Sequence, residues 1–282
     1  MPAVATIDFH ITSECNQECP YCWGPQGFAT PISTRAAQRI LRRIATLGIR
    51  RIVFTGGDPA LRPDLPDLVQ RAKRLGLEVA LSTSGDALTP ALLRRVAPML
   101  DLISLPLDGA TEAVSRRTKQ PGHRQAVWRA LRRLTRYPAV DVKVASAVTR
   151  HNLSQIPRMI AQVEAFARGA PNRVFYNVFQ AFPRAMVDRD WGSLLVTNAE
   201  FDRLRRRVMA QPHAIPIHWL DHTTLDRLYV MILPDGSLTV PSGADYLSFG
   251  PFLDIPNLDA ALRASPFDIV KHTRHARGWS KR

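Results

Sequence analysis

The chain carries all three of its cysteines in one stretch, Cys15-Asn16-Gln17-Glu18-Cys19-Pro20-Tyr21-Cys22. Their spacing is Cys-x-x-x-Cys-x-x-Cys, and the stretch follows a short apolar run at residues 7–11. Three thiolates on one tight loop can converge on a single metal centre. A closed structural metal site normally takes four protein ligands, so three thiolates predict a centre with one coordination position left open for chemistry.

Two simpler interpretations of these cysteines stay open at this point. His10 is near enough in sequence to complete a structural zinc site, which would make the chain a non-enzymatic zinc-binding module. Cys19 and Cys22 alone form a Cys-x-x-Cys pair of the redox-active type. Short cysteine spacings also occur by chance, so the downstream sequence has to decide between these possibilities.

Length and composition limit the class of protein. A chain of 282 residues is long enough for one large α/β barrel or two small domains. No apolar run approaches membrane-spanning length and residues 1–6 do not form a signal peptide, so we expect a cytoplasmic protein that does not bind membranes. Three clustered cysteines with no others argue against a secreted disulfide framework and for a reducing compartment.

The net charge is +14; the basic residues are mostly arginines, and many of these lie on predicted helix faces. A solvated, arginine-rich surface is the simplest interpretation. The functional alternative is attraction of an anionic substrate or of an acidic electron donor such as flavodoxin or ferredoxin. Nucleic-acid binding is not expected, because the basic pairs are scattered over several elements and not interleaved with aromatic residues in one stripe. We expect a monomer.

Strands and helices alternate along the first two thirds of the chain. Apolar periodicity predicts strands over 7–11, 51–55, 78–82, 102–105, 141–148 and 174–179. It predicts helices over 33–47, 65–75, 90–96, 123–136 and 154–167. The pattern predicts an α/β fold, a partial (β/α)6 TIM barrel over residues 1–210. Residues 211–282 are predicted to form a small α+β extension that caps the barrel mouth.

Polar and glycine-rich segments follow the predicted strands, where the working residues of such folds lie. Thr55-Gly56-Gly57-Asp58-Pro59 follows the second strand. Its two glycines allow the backbone to approach a ligand closely, and a free carbonyl or amide there can bind an ammonium or a carboxylate, although a plain strand-to-helix turn is the simpler alternative. Two further segments of this kind are Ser82-Thr83-Ser84-Gly85 and Leu107-Asp108-Gly109.

Together these segments resemble the radical S-adenosylmethionine (radical SAM) enzymes. The cysteine stretch resembles their cluster-binding loop, including the aromatic Tyr21 just before the third cysteine. The resemblance implies one 4Fe-4S cluster held by Cys15, Cys19 and Cys22, with the fourth iron left for the amine and carboxylate of SAM. It also implies reductive cleavage of SAM to methionine and a 5′-deoxyadenosyl radical, which abstracts hydrogen from a substrate.

The resemblance extends to the residues that contact SAM. The Gly-Gly-Asp-Pro segment resembles the family's Gly-Gly-Glu-Pro motif, which holds the methionine amine, with Asp58 in place of Glu. Pro106 stands where the family often has a serine that reaches the ribose, and Asp108 ends the same motif. The expected SAM contacts are Tyr21, Gly56, Gly57, Asp58, Pro59, Ser82, Ser84, Asp108, Arg117, Ser146 and Val178. One of Arg116, Arg117 and Lys119 is expected to meet the SAM carboxylate, and surface charge is the alternative for each.

The fifth and sixth predicted strands resemble the viperin-like branch of the superfamily. Lys143 lies in an apolar run, where a lysine that points into a barrel is costly unless an anion pairs with it. The alternative is an edge position with the ammonium in water. The Val-Phe-Gln end of the sixth strand, the helix start at 197–201 and the tail at 278–281 also resemble viperins. Viperins act on cytidine triphosphate, so a nucleotide-like or phosphorylated substrate is implied, with Lys143, Arg150 and Asn177 as expected catalytic residues.

Two departures keep a sugar or peptide substrate as the alternative. Asn177 stands where viperins have a lysine, and residues 180–185 resemble the Pro-x-Arg exit of peptide- and sugar-modifying relatives. The turn Pro234-Asp235-Gly236, in a predicted hairpin over 229–240, resembles the start of the cluster-binding SPASM domain. No cysteine follows Cys22, so we expect no auxiliary cluster and a redox-neutral, dehydrating or externally quenched reaction. The helix at 258–263 and the basic tail at 271–282 are expected to cap the barrel or reach the substrate.

Overall fold

The structure is a computed structural model that describes residues 4–22, 24, 30–183 and 191–277. Its strands are β1 Thr6–His10, β2 Arg51–Thr55, β3 Glu78–Ser82, β4 Leu102–Pro106, β5 Asp141–Val148, β6 Val174–Gln180, β7 Ile217–Leu220, β8 Met231–Ile232, β9 Ser237–Ser242 and β10 Asp245–Pro251. Its α-helices are α1 Thr34–Thr46, α2 Leu65–Arg74, α3 Pro90–Val96, α4 Glu112–Ser115, α5 His123–Leu134, α6 Ile156–Gly169, α7 Asn198–Met209, α8 His222–Leu225, α9 Leu258–Arg263 and α10 Ile269–Arg277. The six strands predicted from the sequence differ from β1–β6 by at most one residue at either end.

All strands join one sheet, in the order β10-β9-β8-β1-β2-β3-β4-β5-β6-β7. Strands β1 to β7 pair with their sequence neighbours in parallel, and β8 pairs in parallel with β1. Strands β9 and β10 complete the edge beyond β8 in antiparallel fashion. The parallel strands with intervening helices agree with the predicted α/β fold and its partial barrel.

Local signals explain the helix boundaries. Helix α1 begins after Ser33, whose side chain accepts a hydrogen bond from the backbone N–H of Ala36. The turn that follows α1 contains Gly48 in the left-handed region, at φ 72°, a conformation that glycine adopts without steric cost. Helix α7 begins with a complete capping box between Thr197 and Glu200. These caps satisfy helix-end donors that would otherwise lack partners.

Side chains alternate between the barrel interior and the outer core. On β1, Thr6, Asp8 and His10 border the interior, whereas Ile7 and Phe9 pack in the large outer core. Polar side chains on the inner face of a strand are unusual for a filled barrel, so this strand leaves a polar wall inside the protein.

The C-terminal part of the chain closes the open side of the barrel. Strand β7 pairs beside β6 and ends at the same edge as β6, whereas β8 pairs beside β1 and begins opposite Asp8. Residues 221–230 therefore run down the open side between them. The imidazole of His272 in α10 accepts from the backbone N–H groups of Ala5 and Thr6 at 3.1 and 3.3 Å and donates to the carbonyl oxygen of Leu228 at 2.9 Å.

This placement differs from the expected cap over the barrel mouth. Helix α10 lies at the amino end of β1, opposite to the cysteine stretch, since His272 bonds to the backbone N–H groups of Ala5 and Thr6. The tail at 278–282 lies outside the described residues, as do Arg184 and Ala185 of the predicted Pro-x-Arg exit. The division of the chain at residue 210 stays a prediction. In the part that the structure describes, no helix combines the length and apolar character needed to span a membrane.

Candidate active site

A cavity of about 340 Å³ runs through the inside of the barrel. The thiols of Cys15, Cys19 and Cys22 border its upper end, at the carboxyl ends of the strands. Arg51 and His275 border its lower end, where α10 lies. The cavity therefore joins the predicted cluster loop to the polar interior wall.

The cysteine stretch and the glycine pair after β2 are joined through their backbones. Gly57 donates its N–H to the carbonyl oxygen of Thr12 at 2.8 Å, and Asp58 donates to that of Glu14 at 2.6 Å. A Cβ atom would lie 2.2 Å from the carbonyl oxygen of Thr12 at Gly56 and 2.1 Å from that of Glu14 at Gly57. Both glycines also border the cavity. They are thus required for the approach of two backbones, in addition to any contact with a ligand.

The carboxylate of Asp58 is buried below this junction and does not border the cavity. It accepts from the hydroxyl of Thr83 at 2.6 Å, from the hydroxyl of Ser84, and from the backbone N–H of Ala60 at 3.0 Å. Asp58 therefore links the ends of β2 and β3. Pro59 is also buried away from the cavity, whereas Ser82 and Ser84 border it.

A charged network surrounds Cys19. The hydroxyl of Tyr21 donates to Asp108 at 2.5 Å, and Asp108 also accepts from the backbone N–H of Ala147 at 2.8 Å. The ammonium of Lys119 lies 3.4 Å from the Asp108 carboxylate and 3.0 Å from the sulfur of Cys19. Burial raises the pKa of Tyr21, and Asp108 adds to that increase, so the phenol keeps its proton and donates it. The network fixes the cysteine stretch against the ends of β4 and β5.

The three thiols suit an iron–sulfur cluster. They are free and close enough to affect one another: burial raises the pKa of the Cys15 thiol to about 11, and the other two thiols add to that increase. Thiols lose their protons when they bind metal, and positively charged irons would relieve the repulsion between the thiolates. Among the described residues, no three His, Cys, Asp or Glu side chains converge closely enough to hold one metal ion, as zinc requires. A cluster needs no such convergence, because each thiolate binds a different iron.

Asp8 and Lys143 form a second polar region deep in the cavity. Burial raises the pKa of Asp8 to about 7, against the opposing effect of Lys143. Burial lowers the pKa of Lys143 to about 7, against the opposing effect of Asp8, while Arg51 adds to the decrease. Arg51 is itself paired with Glu78, at 2.6 Å. The interior cations that border the described cavity thus have acidic neighbours, and Lys143 is the one whose charge can change near neutral pH.

His10 borders the cavity between this region and the cysteine stretch. Burial lowers its pKa to about 4, so the imidazole is neutral at pH 7. Its Nδ1 atom is buried and has no hydrogen-bond partner among the described residues. A neutral imidazole with an open nitrogen can form a hydrogen bond with a bound ligand.

Some of the residues predicted from the sequence lie away from the cavity. Arg117 is exposed, and Lys119, two residues later, is the cation of this segment that borders the cavity. Arg150 is 48% exposed in its side chain and lies 3.4 Å from the Glu200 carboxylate. Strand β5 ends at Val148, and the chain then turns outward toward α7, which carries Arg150 away from the cavity. Neither arginine is therefore part of the site that the geometry assembles.

The side chains of Ser146 and Val178 lie on the outer face of their strands. The Ser146 hydroxyl contacts the carbonyl oxygen of Leu107 and lies 2.5 Å from the Tyr176 hydroxyl, and Val178 belongs to the outer core. Strand alternation turns these positions away from the interior, so only their backbones could reach a ligand. Asn177 faces inward next to Ala145 and is fully buried, and its amide has no hydrogen-bond partner in the described part of the chain.

Sequence reasoning did not assign a role at the site to Asp8 and considered His10 only as a zinc ligand. It named Lys119 only together with Arg116 and Arg117, as three cations of which one could meet the SAM carboxylate. Asp8 and His10 alternate with apolar residues on β1, and this period of two could have indicated an inward polar face. Lys119 carries no such signal, because it lies in an irregular segment with two other cations.

Comparison with known proteins supports the interpretation of these residues. The family model that describes the radical SAM superfamily matches residues 9–162, more than half of the chain. An S-adenosylmethionine-dependent nucleotide dehydratase of Flammeovirga pacifica is 24% identical over 269 residues, which cover 89% of this chain and 88% of that protein. A PqqA peptide cyclase of Gluconobacter oxydans is 34% identical over 163 residues, which cover 56% of this chain and 46% of the cyclase. The match therefore spans less than half of the peptide cyclase.

Solved structures share the fold. SuiB of Streptococcus suis, bound to its precursor peptide SuiA, superimposes with a TM-score of 0.68 and 12% identity, over 97% of this chain and 66% of SuiB. The structure of anSMEcpe with bound AdoMet gives a TM-score of 0.67 and 13% identity, over 98% of this chain and 84% of that one. The predicted partial barrel is thereby confirmed. The chain belongs to the radical SAM superfamily, as an enzyme whose cofactors are one 4Fe-4S cluster and S-adenosylmethionine.

Proposed function

We propose that this enzyme abstracts hydrogen from a nucleotide-like or phosphorylated small molecule held inside the barrel. The observation that carries the proposal is the position of Lys143, whose ammonium borders the cavity at the level of Ser104 and Phe175, below the predicted SAM contacts. A lysine in such a place is costly without an anion near it. Asp8 supplies part of that compensation, and a phosphate would supply more.

The cofactors supply the radical chemistry when they are bound, since the cluster delivers the electron that turns SAM into a source of a carbon radical. The chain's own residues bind, orient and shield the reactants. Cys15, Cys19 and Cys22 would hold the cluster, and the cavity-bordering backbone of Gly56 and Gly57 would hold SAM. The hydroxyls of Ser82 and Ser84 border the same region and could bind the ribose.

The closed side of the barrel favours a small substrate. Residues 221–230 cover the gap between β7 and β8, and α10 packs behind them through His272. Tyr229 of this connection borders the cavity directly. Such a wall excludes water from a reactive centre, and it leaves little room for a long peptide to pass through.

Similarity along nearly the whole chain also supports a nucleotide-like substrate. The match to the Flammeovirga pacifica nucleotide dehydratase covers 89% of this chain and 88% of that protein. The peptide-modifying relatives match over little more than half of this chain. Of these relatives, the dehydratase therefore corresponds to the largest part of this chain.

Modification of a peptide is the second candidate. The 34% identity to the Gluconobacter oxydans peptide cyclase exceeds the identity to the dehydratase. In addition, Arg51 is paired with Glu78 and Lys143 has Asp8 nearby, so the described interior lacks the excess positive charge expected around a triphosphate. A substrate with few charges would suit this balance equally well.

We further propose that the enzyme works in a reducing cytoplasm as a monomer and takes electrons from an acidic carrier protein such as flavodoxin or ferredoxin. The net charge of +14 supports association with such a carrier, because opposite net charges accelerate encounter. Free thiols at a cavity mouth also require a compartment that keeps them reduced.

The substrate proposal can be tested by the rate of 5′-deoxyadenosine formation from SAM in the reconstituted enzyme, which should be brown with about four irons per chain. Nucleotides, sugar phosphates, neutral sugars and peptides would be compared as stimulating compounds. We expect anionic compounds to stimulate the rate. In Lys143→Met the concentration needed for half-maximal stimulation should rise about tenfold or more, because a charge-assisted contact is lost.

The exposed Arg42 of α1 provides the control. Arg42→Met removes the same charge outside the cavity and should leave the stimulation unchanged. If only neutral compounds or peptides stimulate the rate, and Lys143→Met behaves like the wild type, the second candidate replaces the first.

A further inference from the structure

Lys119 makes a charged contact with a cysteine of the cluster loop. Its ammonium lies 3.0 Å from the sulfur of Cys19, 3.4 Å from the Asp108 carboxylate and 5.4 Å from the centre of the Tyr21 ring. The side chains of Lys119 and Asp108 are 6% and 1% exposed, and Cys19 is 6% exposed. The contact is therefore shielded from water, and electrostatic interactions are stronger in such a buried place than in water.

The Asp108 carboxylate lies 3.4 Å from the ammonium and pairs with its positive charge. Asp108 is itself held by Tyr21 and by the backbone of Ala147, so it cannot turn away from the lysine without losing those bonds. Lys119 is thus a fixed positive charge beside one ligand sulfur.

The three sulfurs have different donors. In the described structure Cys15 accepts from the backbone N–H of Gln17 at 3.4 Å, and Cys22 accepts from the backbone N–H of Gly24 at 3.4 Å. Cys19 has the charged donor, at a shorter distance. Hydrogen bonds that involve an ion are about twice as strong as neutral ones. The field at the cluster would therefore be dominated, among these donors, by Lys119.

The segment that carries Lys119 is fastened to the cysteine stretch. The backbone N–H of Gln120 donates to the side-chain oxygen of Gln17 at 2.8 Å, and the side-chain nitrogen of Gln17 donates to Asp86 at 2.7 Å. Arg116 and Arg117 on the same segment are exposed. The lysine is thus held toward the sulfur by the backbone around it, which distinguishes it from its basic neighbours.

We propose that Lys119 raises the reduction potential of the 4Fe-4S cluster through its charge-assisted hydrogen bond to the sulfur of Cys19. On reduction the cluster accepts one electron from an external one-electron donor and gains one unit of negative charge, with no bond made or broken in the protein. A fixed positive charge at a ligand sulfur stabilises that reduced form more than the oxidised form. Hydrogen bonds to the sulfurs and net charge are the quantities that set cluster potentials.

The alternative partner for Lys119 is the carboxylate of SAM. In that case its removal would weaken SAM binding and leave the potential of the SAM-free cluster unchanged. The two roles therefore separate when the potential is measured without SAM and the affinity for SAM is measured independently.

The experiment compares the reconstituted wild type with Lys119→Met, Lys119→Arg and Arg117→Met. The reduced cluster is quantified by electron paramagnetic resonance at defined solution potentials, without SAM. In Lys119→Met the ratio of reduced to oxidised cluster at a fixed potential should fall about tenfold or more, as expected for a lost charge-assisted bond. Lys119→Arg keeps the charge and should stay near the wild type, and Arg117→Met, which removes an exposed charge two residues away, should match it.

A wild-type potential in Lys119→Met overturns the proposal, whether or not its affinity for SAM changes. Where Lys119→Met takes up no cluster, Lys119→Gln replaces it, since an amide keeps a donor but loses the charge, and the same fall is expected. If both variants fold, as judged by circular dichroism, but hold no cluster, Lys119 is needed for assembly and the proposal is wrong.

Discussion

The backbone N–H of Gly57 donates to the carbonyl oxygen of Thr12 at 2.8 Å, which joins the segment after β2 to the start of the cysteine stretch. A Cβ atom at Gly57 would lie 2.1 Å from the carbonyl oxygen of Glu14. Two loops that are 45 residues apart in sequence are thus in direct backbone contact. The position of the thiols depends on this contact, because the cysteine stretch has no regular secondary structure of its own.

Gly57→Ala should displace the cysteine stretch. The added methyl group has backbone atoms on its path and no flexible side chain to push aside, so the loops must separate. We expect lower iron content after reconstitution and a free energy of unfolding reduced by about 1–3 kcal/mol. Iron analysis and denaturant unfolding measure the two effects. Gly169→Ala has open space around the new methyl group and should match the wild type; an equal loss in both variants would contradict this account.

Asp58→Ala should destabilise the protein without touching the cavity. It removes the acceptor of two buried hydroxyls, those of Thr83 and Ser84, and of the backbone N–H of Ala60. Leaving buried donors without partners costs about 2–4 kcal/mol in total. Denaturant unfolding measures the change. The control is Asp67→Ala, because the Asp67 side chain is 66% exposed and lies 3.8 Å from Arg95, so its loss should cost less than about 1 kcal/mol. Similar losses in both variants would show that burial of Asp58 is unimportant.

The affinity for an anionic substrate should increase as pH falls from about 8 to about 6. Over this range Lys143, whose pKa burial lowers to about 7, gains a proton, and Asp8, whose pKa burial raises to about 7, loses its charge. Both changes make the lower cavity more positive. The concentration of an anionic compound that half-maximally stimulates SAM cleavage measures the effect. Lys143→Met should show a weaker trend, and a neutral compound should show none. An affinity that improves with rising pH would oppose a role for this pair.

His272 should make the stability of the protein depend on pH. Burial lowers the pKa of His272 in the folded state, so the unfolded chain binds more protons in the interval below the ordinary histidine value of about 6.5. The stabilisation is complete above that value and is lost as pH falls toward the folded pKa. His272→Gln should therefore flatten the decline of the free energy of unfolding between about pH 7 and about pH 5.

Thr273→Ala on the same helix provides the control for that measurement. It removes a hydroxyl bonded to the carbonyl oxygen of Ile269 but no titratable group, so the slope against pH should equal that of the wild type. A wild-type slope in His272→Gln would assign the pH dependence to other buried histidines, such as His123, whose pKa burial lowers to about 3.

Local sequence patterns were sufficient to predict strands β1–β6 and the end of the barrel at which the candidate site lies. Apolar periodicity and glycine stops predicted β1–β6 within one residue, because these signals act over a few neighbouring positions. The parallel order then placed the cysteine stretch, Gly56 and Asp108 at one edge of the sheet, since parallel strands all end on the same side. The cofactors followed from the thiol spacing and the family resemblance.

Side-chain direction outside regular elements could not be read in the same way. Arg116, Arg117 and Lys119 look equivalent in the sequence, and the bond between Gln120 and Gln17 is what turns the lysine toward Cys19. The roles assigned to Arg117 and Arg150 relied on their position after a strand, and both side chains point to solvent. A segment without a repeating geometry has no period from which its inward residues can be inferred.

Partners that are distant in the chain form the remaining part of the site. Lys143 signalled a buried charge, but its neighbour Asp8 is 135 positions away and is brought near it only when the barrel curves. The closure of the open side likewise depends on distant elements, because β7 and β8 join opposite edges of the sheet formed by β1–β6. Helix α10 lies at the end of the barrel opposite to the cysteine stretch. Hydrophobic periodicity and turn residues can be read from neighbouring positions in the sequence. The pairing of Lys143 with Asp8 and the closure of the barrel depend instead on the packing of elements that are far apart in the sequence.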